Sequence, residues 1–345
     1  DTPYGTRFVK RKQFGPHEAI TMILLGTVFF YTGYFFNLGK KLVEWGSSLM
    51  DERFILEWTR IKNCISHYDY VTGKKADFSD EEKVVKYAIQ TGDFFFATQY
   101  YYYCILNSIE GGEASHTLHF LNRILQIYEA FDSNSCYAQY HRMHITHNLK
   151  LRKFEEVIRI TDEVFDFIRR NEFSFVLIAL YSYRSMAYTF RGDYAEAKKN
   201  LLKAEKIVKN LKILTLVCVY LIAKCYYEIA IFKTNSGNSK DAIKTLRTTD
   251  KLIKLARKIK KNQPEAYRLR ATIFWLINKP GKASRSFGKS IKAGLDYDCK
   301  LELSRTFFEA GRFLNETKNK KERINGMNAT ECLLKAKSMF EEMNL

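Results

Sequence analysis

Six triplets of small or apolar residues spaced +4 and +3 recur along the chain at a nearly constant step, and this ladder constrains the fold more than any other feature. They are Thr117-Leu121-Ile124, Val157-Thr161-Val164, Ala197-Leu201-Ala204, Ala242-Leu246-Thr249, Ala283-Phe287-Ser290 and Ala329-Leu333-Ala336. Successive first members lie 40 to 46 residues apart. On an α-helix the +4 and +3 positions share one face. Turn signals precede most triplets: Gly111-Gly112, Gly192-Asp193, Gly237-Asn238, Pro280-Gly281 and Asn325-Gly326. A second apolar segment lies between consecutive ladder helices, as at 173–190, 213–232 and 266–277. Each period therefore reads as a helix hairpin. Such a unit cannot bury its apolar face alone, so hairpins stack. Composition agrees. Only 17 Gly and 4 Pro in 345 residues are too few for a turn-dense sandwich or barrel. A hydrophobic fraction of 46% excludes a disordered tail.

Residues 188–204, YTFRGDYAEAKKNLLKA, resemble the tetratricopeptide repeat: an aromatic stands nine residues before a small residue, and the +4 and +3 positions follow. The other periods resemble longer, degenerate versions, several lacking the aromatic or the glycine. The expected fold is thus all-α, a tetratricopeptide-like α-α superhelix (a right-handed solenoid of helix hairpins) over residues 79–345. Residues 1–78 are expected to be a helical segment packed on its start, with a partial repeat as one option. A second resemblance rests on 88–105 (AIQTGDFFFATQYYYYCI) followed by Gly111-Gly112, on Ile65-Ser66-His67-Tyr68, and on 329–345 (ATECLLKAKSMFEEMNL). These stretches resemble the carboxy-terminal helical region of very large signalling ATPases, which carry an AAA-type module beside kinase or class III adenylyl cyclase domains. That resemblance covers about half the chain. It implies a regulatory arm and brings no catalytic residue with it. The chain opens on Asp1 rather than Met, so it is read as a piece of a longer protein with any catalytic module upstream.

The formal net charge is +18. Residues 240–292 contribute +13 and residues 198–212 contribute +5, so the remainder balances to about zero. Three readings compete: an acidic protein or intramolecular domain docks there, the face is merely solvated, or nucleic acid or anionic lipid binds. Lysine outnumbers arginine, which argues against bidentate base recognition. The expectation is a non-catalytic interaction scaffold in the cytoplasm, accepting its partner in a groove lined by the first helix of each hairpin. Lys209, Lys251, Lys254, Arg257, Arg268 and Arg270 are its candidate contacts. Nucleic-acid binding through 240–292 is the first alternative.

A membrane tether is the second. Residues 19–39 contain no charge and are long enough to span a bilayer, although Thr, Gly, Tyr and Asn interrupt them. Seven scattered cysteines, odd in number and without a CxxC pair, fit a reducing setting.

Candidate chemistry is sparse, and no cofactor is expected. The run from Ala283 to Ser290 fits a loose phosphate-loop pattern but falls inside a ladder helix, without the strand such a loop needs. His141, His144 and His147 share a helix with spacing a metal could use, yet lack a carboxylate partner; ordinary histidines are expected. Tyr100 to Tyr103 point in four directions on a helix, so they form core, with two facing inward and two the groove, rather than a flat stacking surface. The carboxylates of Asp80-Glu81-Glu82 and Glu155-Glu156 fit helix starts.

Overall fold

The computed structural model describes residues 16–49, 57–75, 77–235, 237–317 and 323–345. Among them the chain is all-α, with seventeen α-helices and no strand. Two helices, α1 (Pro16–Thr32) and α2 (Phe36–Ser48), form an amino-terminal hairpin. Hairpins then follow in sequence order. The first helices are α3 (Trp58–Thr72), α5 (Phe94–Gly111), α7 (Asn134–Lys150), α10 (Ser174–Arg191), α12 (Leu214–Thr234), α14 (Gln263–Leu276) and α16 (Lys300–Glu316). Their partners are α4 (Glu81–Thr91), α6 (Ala114–Phe131), the pair α8 (Phe154–Ile158) and α9 (Asp162–Arg170), α11 (Tyr194–Asn210), α13 (Ser239–Ala256), α15 (Pro280–Asp296) and α17 (Ala329–Glu342).

The ladder residues do the packing predicted for them. Thr117, Ala197, Ala204, Ala283, Phe287 and Ser290 are fully buried. Gly112, Gly192, Gly237 and Gly326 adopt the positive φ that ends or turns a helix, which the ladder's turn signals anticipated. The Val157 triplet departs from the pattern. Thr161 is exposed and extended (φ −72°, ψ 159°), and it sits at the start of α9 without a side-chain capping hydrogen bond, so two short helices stand where one was expected.

First helices pack on first helices along the whole array, and α16 returns to pack on α5. That return surrounds α5 with α3, α6, α7 and α16. All four tyrosines from Tyr100 to Tyr103 are buried, where two were expected to face the groove. The carboxy terminus meets the same place, with Met343 against the Gly112 turn.

The charge-free stretch 19–39 is not one helix. A turn at Gly33–Phe35, with positive φ at Gly33 and Phe35, folds it into α1 and the start of α2. Among the described residues one helix, α12, is long and apolar enough to cross a membrane, and most of its apolar window is buried inside the fold. Helices α1 and α2 approach so closely that a Cβ on Gly26 would meet the Gly39 carbonyl oxygen at 2.7 Å and Val43 Cγ2 at 2.8 Å. Gly26→Val is therefore expected to cost ~1–3 kcal/mol through overpacking. Limited proteolysis across the 33–35 turn should speed up, and unchanged cleavage would contradict the close contact.

The α3 helix packs on α4 and α5, occupying the place of a hairpin's first helix. Tyr70 on it donates to Asn262 Oδ1 at 2.7 Å, and Lys258 donates to the Gly33 carbonyl at 2.7 Å. The amino-terminal elements are thereby tied to the segment between α13 and α14. All seven cysteines are buried and none is bonded to another.

Candidate functional site

The inner helices do not leave an open groove along their length, because α16 lies against α5. Charged side chains fill the closure. Lys150, the last residue of α7, reaches Glu110 at 2.8 Å, Glu265 at 3.2 Å and Glu302 at 3.5 Å. Arg268 on α14 meets Glu302 at 2.7 Å and Glu309 at 2.5 Å. Arg305 on α16 pairs with Glu302 and donates to the Lys150 carbonyl. Tyr226 accepts from Arg268 at 2.7 Å and donates to Glu265 at 2.8 Å.

Burial opposes every charge in this cluster, and the outcome differs by site. It would raise the Glu302 carboxyl, but Arg268, Arg305 and Lys150 overcome it and hold Glu302 well below the usual carboxylate range. Burial would lower Lys150, yet Glu110, Glu265 and Glu302 keep its ammonium well above the usual value. At Glu110 burial prevails over Lys150 and pushes the carboxyl up, and its Oε2 is buried without a hydrogen-bond partner. A proton there leaves Lys150, Arg268 and Arg305 matched by Glu265, Glu302 and Glu309.

Where the inner helices diverge, a cleft of about 680 Å³ opens between α10, α12, α14 and α16. Arg268 and Arg305 form part of its floor, and Arg152, Lys233 and Arg312 stand around it. Phe190, Tyr226, Trp275 and Phe308 supply aromatic surface.

The six candidate contact residues do not converge on this cleft. Lys209 on α11, and Lys251 and Lys254 on α13 with Arg257 just beyond it, are exposed on second helices, away from the inner face. Arg268 and Arg270 are on the inner helix α14. Arg268 has a side-chain exposure of 1% and is neutralised by carboxylates, so it does not supply surface charge as expected. Arg270 is half-buried and paired with Asp250 at 3.0 Å.

The basic window thus divides. Lys258, Lys261, Arg268 and Arg270 serve internal contacts. Lys260 lies half-buried against Tyr297 between α13 and α14, and most of the others line α11, α13 and α15. On the α12–α13 surface Lys224, Lys240, Lys244, Arg247 and Lys251 border a shallow depression of about 390 Å³ over Glu228.

The phosphate-loop-like run lies within α15, where Ser290 donates to the Pro264 carbonyl at 2.7 Å and meets Thr306 at 2.8 Å. His141, His144 and His147 lie on α7, at least half-buried. Reading the sequence alone missed Glu110, Lys150, Arg152, Glu302 and Arg305. The one signal for them was a charge embedded in otherwise apolar inner helices, as in KLELSRTFFEA. No protein-family model matches this chain, and no curated protein matches it.

Proposed function

We propose that this chain is a non-catalytic interaction module, a regulatory arm that docks an acidic protein surface or neighbouring domain on the outward faces of its second helices. One observation carries the reading. Lys251, Lys254, Arg257, Lys289 and Lys292 are exposed and have no carboxylate partner among the described residues, whereas Arg268 and Arg270 of the same window are paired with carboxylates. Exposed unpaired lysines keep their attraction for an external anion, and salt screens that attraction. Stacked rigid hairpins hold the rows at fixed spacing, which suits docking of an extended acidic face.

The test uses a polyglutamate peptide as a surrogate for an acidic partner. Binding should weaken by about tenfold or more between low and physiological salt. The triple reversal K251E/K254E/R257E should abolish it while thermal unfolding stays within ~0.5 kcal/mol, as expected for surface substitutions. Retained binding by the triple variant overturns the assignment. Tighter binding of a single-stranded RNA than of the peptide would establish the nucleic-acid alternative instead.

A further inference from the structure

We infer that the cleft between α10, α12, α14 and α16 binds a small anion with a flat aromatic body, of the nucleoside phosphate class. The site is separate from the outer basic faces and does not depend on them.

Arg268 is held by Glu302 and Glu309, and Arg305 by Glu302. Glu309 is committed on both oxygens, to Arg268 Nη1 and to the Thr272 hydroxyl at 2.8 Å. Glu316 lies at the rim, 3.9 Å from Arg312 in an exposed pair. Arg152 and Lys233 have no carboxylate partner among the described residues. The cleft therefore has positive charge to offer and no free carboxylate inside it to oppose an anion.

Arg152 is the pointed case. It is held in the left-handed backbone region (φ 61°) just after α7. Its guanidinium lies 4.3 Å from the centre of the Phe190 ring. Arg152 is exposed along part of its side chain, while desolvation where it packs on Phe190 and Phe154, and then the nearby Arg305 charge, lower its guanidinium from the usual arginine value. An anion between Arg152 and Arg305 removes that penalty.

The walls define the rest of the ligand. Phe190 and Tyr226 pack edge to face at 5.0 Å, and Arg268 holds the Tyr226 hydroxyl, so these rings are fixed in place. Trp275 and the exposed Phe308 add flat surface, with the Arg312 guanidinium 5.9 Å from the Trp275 ring. A flat base can stack on such rings. Size excludes longer occupants. About 680 Å³ suits a small molecule, and the contact of α16 with α5 closes the path a helix or extended peptide would follow.

The three tryptophans are Trp45, Trp58 and Trp275, which gives a local readout. In a full-length W45F/W58F background, ATP should quench Trp275 fluorescence saturably below ~1 mM, with a matching heat by calorimetry. Inorganic triphosphate and adenosine should each bind at least about tenfold more weakly than ATP. Arg152→Gln, which lies outside the buried charge cluster, should weaken ATP about tenfold or more, with Arg312→Gln as a second, independent variant. K251E/K254E/R257E should leave ATP binding unchanged, which separates this site from the outer surface. No saturable quench, wild-type ATP affinity in both arginine variants, or triphosphate binding as tightly as ATP would each overturn the inference.

Discussion

Glu302→Ala should destabilise the protein by about 3–5 kcal/mol, the range seen when one partner of a buried ion pair is removed. The magnitude follows from what the carboxylate touches. Glu302 is fully buried, and Lys150, Arg268 and Arg305 converge on it from three different helices. Without it these cations share Glu110, Glu265 and Glu309, and Glu110 is the carboxyl that burial favours in its protonated form. Positive charge is then stranded where water cannot solvate it. Glu302→Gln keeps the shape and a hydrogen-bonding oxygen, so it should fall between wild type and alanine. Glu316→Ala removes an exposed pair with Arg312 and should cost no more than about 1 kcal/mol. Urea unfolding of the three variants decides it. A Glu302→Ala loss as small as that of Glu316→Ala would mean that the closure of α16 on α5 does not depend on this cluster. The same experiment reports on the cleft, because Arg268 and Arg305 are floor and anchor together.

That closure also marks where the sequence stops being readable. The hairpin ladder was legible because packing faces are local: Ala197, Leu201 and Ala204 declare their shared face within eight residues. Thr161 broke the pattern because a threonine satisfies the spacing of a helix face and the geometry of a cap equally well. The interior cluster joins residues far apart, 115 positions for Lys150 with Glu265 and 155 for Arg305 with the Lys150 carbonyl. No periodicity encodes such pairs. Counting charge by window consequently treated Arg268 like Lys254, although one is buried among carboxylates and the other faces water. The run from Tyr100 to Tyr103 misled for the same reason. A helix with neighbours on two sides would expose part of it, but partners from several helices cover these rings: Glu81 and Phe120 at Tyr101, Arg142 at Tyr102, and His67 and Tyr70 at Tyr103.

Buried histidines should cost this fold stability as pH falls below about 6.5, against the raised carboxyls of Asp69 and Glu110, which act in the opposite sense. His67 is fully buried, stacked between Tyr31 at 4.4 Å and Tyr103 at 4.7 Å, and neither ring nitrogen has a hydrogen-bond partner. Burial pushes it down to about 3. Burial likewise lowers His141 to about 4, helped by His144, and His147 to about 4, helped by Lys153. In the unfolded chain all three titrate near 6.5. Above that value both states are neutral at these sites and no stability is at stake. As pH falls below it, the unfolded chain takes up protons that the folded chain refuses, so stability drops until the folded values are reached. At pH 5 the loss from His67 alone is about 2 kcal/mol, and His141 and His147, whose folded values also lie below 5, add to it. Glu302, held low in the folded state, adds its own loss only at more acidic pH. Urea midpoints measured at pH 7.5 and pH 5 test this directly. His67→Phe keeps an aromatic ring between the two tyrosines but cannot take up a proton, so its stability should fall less steeply over the same interval. An identical slope in His67→Phe would contradict the burial of a neutral imidazole at this position.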